Sequence, residues 1–426
     1  MLALVIIGIF LFIMLIGTPV GFAMGALTYI SFAMLDGNLA LIPHKMFSAI
    51  DTYTYVCLLL YILATDIMSV GGITSAIVRF CTSVVGHVRG GLAHVNVLGS
   101  MMFAGLSGSA IADVSGLGPL EIQMMEEGGY KREYAATVTA ASAIIGPIIP
   151  PSNIMIIFAG AVGTVSVGKM FLAGILPGVL LSVSYMCLCY YYAVRDNVPC
   201  GKRATFKEII TAFRQTLPAL MLPVIILGSI ATGVCTATES SALAVSYAIL
   251  VSALSRRLTF KSFTRCCIRA AKATANVLFI IAVAGAMGWA ITTLQIAQTV
   301  TAFCMDHINN GIVFLIFVNI VLLILGMFLD SAPALLLMVP ILWPVADQIY
   351  NMDVVHFGLI VCLNLMIGML TPPVGMVLFV TANVAKLKLS ILYARIWPFV
   401  GAALVVLLLV TYVPAVSLFI PNLFMP

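Results

Sequence analysis

Apolar runs of about 20 residues follow one another along almost the whole sequence, and each can cross a ~30 Å hydrocarbon core as an α-helix. Inside a bilayer every backbone N–H and C=O has to be paired within the protein, so spanning chains form helices or closed barrels. The runs here are continuous and do not alternate, which argues against a barrel. Only 8% of the residues are charged, against about 25% in a soluble domain. The sequence reads as an all-α polytopic membrane protein. No basic stretch opens it and the first charged residue is Asp36, so no cleavable leader is expected.

Crossing segments are expected near 2–16, 18–34, 52–70, 134–160, 170–194, 215–232, 238–254, 273–292, 354–383 and 391–413. Two further apolar pairs, 91–124 and 312–347, carry Gly, Ser, Asp or Pro at their centres and read as re-entrant hairpins. Suppose the N-terminus is outside and both hairpins return to their own side. Then Lys45 and Lys169 alone among the 20 Lys and Arg fall outside. Inner loops carry the excess of Lys and Arg, so this distribution supports the orientation and places the C-terminus outside as well. The net charge of +5 is thereby a topology signal and not a nucleic-acid one. The polar stretch 195–214 reads as an inner linker. Residues 256–272 mix bases with apolar residues at helical spacing and read as an interfacial helix, with 38–50 as its outer counterpart.

The sequence repeats itself. "IGPIIPPS" (145–152) matches "IGMLTPPV" (367–374), and Ser142 and Asn364 each stand four positions before the shared Gly. Gly105 precedes Gly146 by 41 residues and Gly326 precedes Gly368 by 42. Five crossings per half make the second copy upside down relative to the first. Inverted repeats with broken helices at matching positions point to a transport site at mid-membrane. Each break frees backbone carbonyls that can ligate a cation and N–H groups that can hold an anion. The hairpin tips add Ser107 and Ser109 around Gly108 in one half, and Asp330, Ser331 and Pro333 in the other. Hydroxyls, carbonyls and a carboxylate suit a hard cation such as Na⁺. Small residues also serve helix packing, and a lone Pro also merely kinks a helix. Breaks matched across both halves are harder to assign to packing.

Other chemistry is not indicated. Ten cysteines are scattered without metal-type spacing and read as small buried hydrophobes. The five histidines fall mostly near segment ends and read as interfacial. "GTVSVGKM" (163–170) imitates a phosphate loop but ends in Met170 and follows no strand. No HExxH or GxSxG motif occurs, no soluble segment is long enough for an ATPase, and no acid or metal cluster supports a lipid-modifying enzyme. Asp66 and Glu239 are further intramembrane acids, equally suited to helix contacts or to binding.

"GLSGSAIADVSGLG", "GYKREYAATVTAASAIIGPIIPPS", "GVCTATESSALAVSYAIL" and "VVHFGLIVCLNLMIGMLTPPVG" resemble the large membrane subunit of tripartite ATP-independent periplasmic (TRAP) transporters, over essentially the whole chain. The resemblance implies an elevator fold like that of the ion transporter superfamily, in a bacterial inner membrane with both termini periplasmic. It implies Na⁺ as coupling ion and no other cofactor. The implied partners are a small four-helix membrane subunit, a periplasmic solute-binding protein, a small organic anion and membrane lipid, with no nucleic acid. Carried over by position, a first Na⁺ site uses Ser107, Ser109, Gly146 and Ile149, and a second uses Gly326, Asp330, Gly368 and Thr371. Solute would meet Ser107, Pro151, Ser152, Asn153 and Pro372. The chain then divides into 1–50, scaffold and outer arm; 51–194, first transport elements with hairpin 91–124 and broken helix 134–160; 195–214, linker; 215–272, second scaffold and inner arm; and 273–426, second transport elements with hairpin 312–347 and broken helix 354–383. Thr236-Ala237-Thr238-Glu239 departs from the family's Thr-Pro-Thr-Glu, Asp66 stands where Glu is usual, and "CLLLYILATDIM" (57–68) replaces a Pro-Phe-Phe-like stretch. A stand-alone carrier of organic anions, working without a binding protein, is the alternative expectation.

Overall fold

A computed structural model describes residues 13, 16–35, 37–70, 73–196, 198, 200–201, 203–308 and 310–425. The expected first segment, 2–16, and Asp36 lie almost wholly outside them. Among the described residues all regular structure is helical. In the first half, α1 (Val20–Met34), α2 (Leu41–Ile50), α3 (Val56–Val70) and α4 (Ile73–Val85) lead into a hairpin. Its arms are α5 (Gly91–Ser107) and the pair α6 (Ala110–Gly116) and α7 (Gly118–Glu127). Then come α8 (Arg132–Ala143), a non-helical break, α9 (Asn153–Val162) and the long α10 (Val167–Arg195).

The second half also passes through helices, a hairpin and a broken helix. It runs α11 (Phe206–Ala231), α12 (Ala237–Leu254), α13 (Phe260–Thr293) and α14 (Ile296–His307). The second hairpin is α15 (Gly311–Phe328) and α16 (Ser331–Gln348). The second broken helix is α17 (Val354–Met369) and α18 (Met376–Ala385), followed by α19 (Leu389–Arg395), α20 (Trp397–Tyr412) and α21 (Pro414–Phe424). The chain turns between helices at 108–109 and 329–330, and helix is interrupted at 144–152 and 370–375.

Each turn has a local cause. The first hairpin turns at Gly108, whose φ of +58° suits a residue without Cβ, and Ser109 then caps α6 by accepting from Ala112 N–H at 3.4 Å. The second turns at Leu329 and Asp330, and Asp330 caps α16 by accepting from Ser331 N–H at 2.6 Å. The Pro-Pro pairs lie in the two breaks, where a missing N–H removes nothing from a helix ladder. Pro150–Pro151 and Pro372–Pro373 are both cis.

The broken helices form the centre of the bundle. Every side chain from Ala135 to Ala143 on α8 and from Val355 to Met369 on α17 is buried. A helix buried all round, with no polar face, belongs inside a bundle. Around them, α3 packs on α12, where Tyr61 donates to the Ala237 carbonyl at 2.9 Å and Ser252 to that of Ile67 at 3.3 Å. α13 packs on α1 and α2 through Phe22 against Phe279 (5.4 Å between ring centres), Phe32 stacked on Trp289 (3.9 Å) and Gly285 against Ala49. α10 packs on α20 through Tyr185 and Phe399 at 5.6 Å.

Several boundaries differ from expectation. The expected segments 256–272 and 273–292 join in one helix, α13, from Phe260 on, because the stretch between them holds good helix formers and no Gly or Pro. The expected linker is helical from Phe206, where Thr205 and Glu208 form a capping box. α4, α14 and α21 are not foreseen. The expected segment 391–413 is α19 and α20, bent by 53°. Seven of the described helices are long and apolar enough to cross a membrane, or up to eight if that bent pair is one span. Two of the seven are the arms of the second hairpin, Gly311–Phe328 and Ser331–Gln348, which were expected to be re-entrant and not to cross, while the halves of the broken helices are each too short to count. Each arm has 18 residues, long enough to cross by itself, against the expectation of a re-entrant pair.

Candidate functional site

The hairpin tips meet the breaks. In the first half, Asn153 N–H lies 3.5 Å from the Gly108 carbonyl, and a Cβ on Gly108 would strike the Pro151 carbonyl. Ser107 is buried, its hydroxyl has no recorded partner, and it would stand 3.9 Å from a Cβ on Gly146. In the second half, Gly326 and Gly368 touch through their backbones. A Cβ on Gly368 would lie 2.6 Å from Gly326 Cα, and one on Gly326 would lie 3.0 Å from Gly368 Cα. Gly375 N–H donates to the Met327 carbonyl at 3.1 Å. Backbone contacts this close are open only to glycine.

A polar clamp ties each hairpin to its break. In the first half, Ser142 donates to Asn96 Oδ1 at 2.7 Å and accepts from Ser100 at 3.1 Å, while Asn96 donates to Thr139 at 2.7 Å. In the second, Asn364 donates to Asn319 Oδ1, and Asn319 donates to Thr411 at 3.3 Å. Ser142 and Asn364 are the two residues that stand four positions before the repeated Gly.

Both halves contribute to one cavity of about 110 Å³. Gly108, Ser109, Pro147 and Asn153 line it from the first half, and Asp330, Ser331, Met366 and Met369 from the second; Val277 of α13 closes it. The N-termini of α9 and α16 open onto it, and their partial positive charge favours an anion. Asp330 lines it beside them. No Lys or Arg is among the lining residues. A larger cavity of about 740 Å³, lined by Tyr130, Tyr134, Tyr192, Arg195 and Arg395, touches neither tip and neither break. It contains none of the chemistry that the repeat brings together.

Of the residues singled out in the sequence, Ser109, Asn153 and Asp330 line the shared cavity. Ser107 with Gly146, and Gly326 with Gly368, are brought together beside it. Thr371 donates its hydroxyl back to the Ile367 carbonyl at 2.7 Å. The Ile149 side chain packs on Gly178 of α10, which leaves only its backbone for a ligand. Ser152 is buried with its hydroxyl turned into its own break, donating to the Pro147 carbonyl and accepting from Met155 N–H at 3.4 Å. Pro151 and Pro372 do not line the cavity. The loop after Pro372 is held by Tyr393, whose hydroxyl reaches the carbonyls of Pro373 and, at 3.0 Å, Val374.

The two acids left open resolve into helix contacts. Asp66 pairs with Arg269 at 3.4 Å, joining α3 to α13. Glu239 closes a capping box with Thr236 at the start of α12. Two histidines are buried in the protein: His356 meets Ser417 at 2.7 Å, joining α17 to α21, and His94 is enclosed near Gly90. The sequence analysis passes over Asp113 and Glu121. Both are buried in the first hairpin at 1% exposure, without hydrogen-bond partners. Their eight-residue spacing, two helical turns inside an apolar hairpin, is the signal that would have found them.

The model of the tripartite ATP-independent periplasmic transporter family, DctM component, matches residues 7–416. The sialic acid TRAP transporter permease protein SiaT of Haemophilus influenzae is 37% identical over 420 residues, which is 98% of this chain and 68% of the relative. The C4-dicarboxylate TRAP transporter large permease protein DctM of Pseudomonas aeruginosa is 36% identical, over 93% of this chain and 92% of the relative. The 2,3-diketo-L-gulonate TRAP transporter large permease protein YiaN of Escherichia coli is 34% identical, over 97% of each. These relatives are permeases and not enzymes. Among solved structures, the Alcanivorax borkumensis YdaH transporter shares the fold, with a TM-score of 0.62 at 13% identity over 87% of this chain and 86% of that one.

Proposed function

The chain belongs to the tripartite ATP-independent periplasmic transporter family as a DctM component, and from this premise we propose that it carries a small organic acid inward across the bacterial inner membrane, driven by Na⁺. The solute is delivered by a periplasmic binding protein, and a small membrane subunit completes the permease. The single observation that carries this reading is the shared cavity, where the tip and break of each half converge. A cavity lined by two helix N-termini, serine hydroxyls and one carboxylate suits an organic anion held together with a cation. The names of the relatives, which specify sialic acid, C4-dicarboxylate and diketogulonate, supply the solute class.

In this reading the first Na⁺ lies among Ser107, Ser109, Gly146 and the Ile149 backbone, and the second among Gly326, Asp330, Gly368 and Thr371. Asn153 and Ser109 meet the solute carboxylate. Pro151, Ser152 and Pro372 shape the backbone of that space and do not contact the solute through side-chain polar atoms. The two halves are inverted repeats, supported by the matched breaks and matched polar clamps. Hairpins and broken helices move together past a frame built on α3, α11 and α12. Solute pockets are commonly ~300–1,000 Å³, so a cavity of about 110 Å³ would have to widen to take the solute. Each Na⁺ descending ~100 mV releases ~2.3 kcal/mol, so two ions carrying one monovalent anion move net positive charge inward.

The test is uptake into proteoliposomes holding this chain with its small subunit and binding protein, with sialic acid, a C4-dicarboxylate and diketogulonate as solutes. Uptake is expected to need an inward Na⁺ gradient and, for the monovalent solutes, to rise with inside-negative potential. Uptake indifferent to both would overturn the coupling. Equal uptake without the binding protein would favour a stand-alone carrier.

A further inference from the structure

The larger cavity, about 740 Å³, lies where the start of α8, the end of α10 and the corner between α19 and α20 meet. One part of its wall is aromatic. Tyr130 and Tyr134 stack with ring centres 6.1 Å apart, and Tyr192 meets Tyr134 edge-on at 6.0 Å. Among the described residues its lining also holds three exposed cations, Lys131, Arg195 and Arg395, and one carboxylate, Asp196. Arg195 lies 4.9 Å above the Tyr192 ring, and its Nε donates to Asp196 at 2.9 Å, which leaves its outer N–H groups open. Arg395 pairs with Glu133 at 2.6 Å. Lys131 joins no ion pair among the described residues.

The distribution of Lys and Arg along the chain puts this end of the helices at the inner face of the membrane. Tyr and basic residues gather at that boundary in most membrane proteins, where they meet lipid singly over an outer surface. Here residues from three parts of the chain enclose a space instead. The charges around it do not balance, because Asp196 and Glu133 answer two of the three cations and Lys131 stays open. One further anion completes the set. The stacked rings offer nothing to a bare ion, but they offer packing area to the glycerol and first carbons of a lipid. Exposed Tyr191, Val194 and Trp397 adjoin the lining residues along the chain and leave apolar surface for acyl chains. Basic pockets between helices on the inner side suit anionic lipid headgroups for these reasons. We propose that this cavity binds the headgroup of an anionic phospholipid of the inner leaflet. Its phosphate lies on Lys131 and Arg195, and its glycerol lies against Tyr134 and Tyr192. A free phosphate ester brings the same anion without the chains, and the experiment separates the two. The cavity touches neither tip and neither break, so the proposal does not rest on the transport reading.

The experiment is thermal melting of the purified full chain in neutral detergent micelles, titrated with phosphatidylglycerol, phosphatidylcholine, glycerol phosphate or inorganic phosphate. Phosphatidylglycerol is expected to raise the melting temperature saturably and more than phosphatidylcholine. In the Lys131→Gln, Arg195→Gln double variant the half-saturating concentration is expected to rise about tenfold. Lys207→Gln removes an exposed cation of α11 outside the cavity and is expected to leave the curve in place. Lys131→Gln alone strands no ion-pair partner, so it keeps the test open if the double variant does not fold, with an expected shift of about threefold. An equal response to phosphatidylcholine overturns the proposal. So does a curve unchanged in the cavity variants, or shifted as far by Lys207→Gln, since bulk charge then suffices. Equal stabilisation by glycerol phosphate or inorganic phosphate overturns the lipid and makes the cavity a site for a soluble anion. The measurement uses no Na⁺ gradient and no solute, so its failure and that of the transport reading are separate.

Discussion

Asp330 does two tasks with one carboxylate. One oxygen caps α16 through Ser331 N–H, and the group also borders the cavity shared by both halves. The tasks can be separated, because Asn caps a helix about as well as Asp. Asp330→Asn is expected to leave the melting temperature nearly unchanged while weakening apparent Na⁺ affinity in uptake by about tenfold, or ~1.4 kcal/mol. A variant that melts early without a change in Na⁺ dependence would make Asp330 a cap alone. The glycine pair tests close approach. A methyl on Gly368 must push α17 from α15, so Gly368→Ala is expected to cost roughly 1–3 kcal/mol, read as a lowered melting temperature. Gly401→Ala is the control, since a Cβ there meets nothing within 4 Å. Glycine and aspartate at these positions were legible as unusual residues in apolar runs. Ser152 shows the limit. Its place in the break was legible, but the direction of its hydroxyl follows from the fold of that break and not from its neighbours in sequence.

Single elements show which local signals hold. Gly, Pro and capping residues marked both turns and both breaks, because they act within a few residues of themselves. Amphipathic boundaries held less well. The join inside α13 carried no stop signal, and the helix runs through it. α4 and α14 sit in stretches too short or too mixed to read as crossings, and neighbours on other helices supply their partners. The polar clamps between elements have a measurable effect. Asn319→Leu strands the Asn364 amide inside the bundle and is expected to cost about 1–2 kcal/mol. The double variant Asn319→Leu, Asn364→Leu removes both polar groups and is expected to recover part of that loss. A double-mutant cycle by thermal melting checks this, and strictly additive losses would mean the two amides do not act as a pair.

For the whole molecule, the relation between hairpins and frame decides how the protein works. Gly105 of the first hairpin faces Pro223 of α11, and a Cβ on Gly105 would lie 3.1 Å from Pro223 Cβ. With the exposed Cys187 and Cys200 replaced, oxidation of a Gly105→Cys, Pro223→Cys variant is expected to join hairpin to frame and abolish uptake, with recovery on reduction. Full uptake by a fully cross-linked protein would exclude sliding of one body past the other. Membrane residence, two matched breaks and two polar tips were determined by the sequence alone. Apolar length and helix-breaking chemistry are properties of neighbouring residues, and the bilayer leaves them few outcomes. The tertiary structure alone decided that Ser109 and Asp330 border one cavity, that Asp66 meets Arg269 and Glu239 caps its own helix, and that Asp113 and Glu121 are buried. Which polar groups face one another depends on how helices rotate and cross. That rotation is set by the summed packing of residues far apart in the chain, and no stretch of sequence carries it by itself.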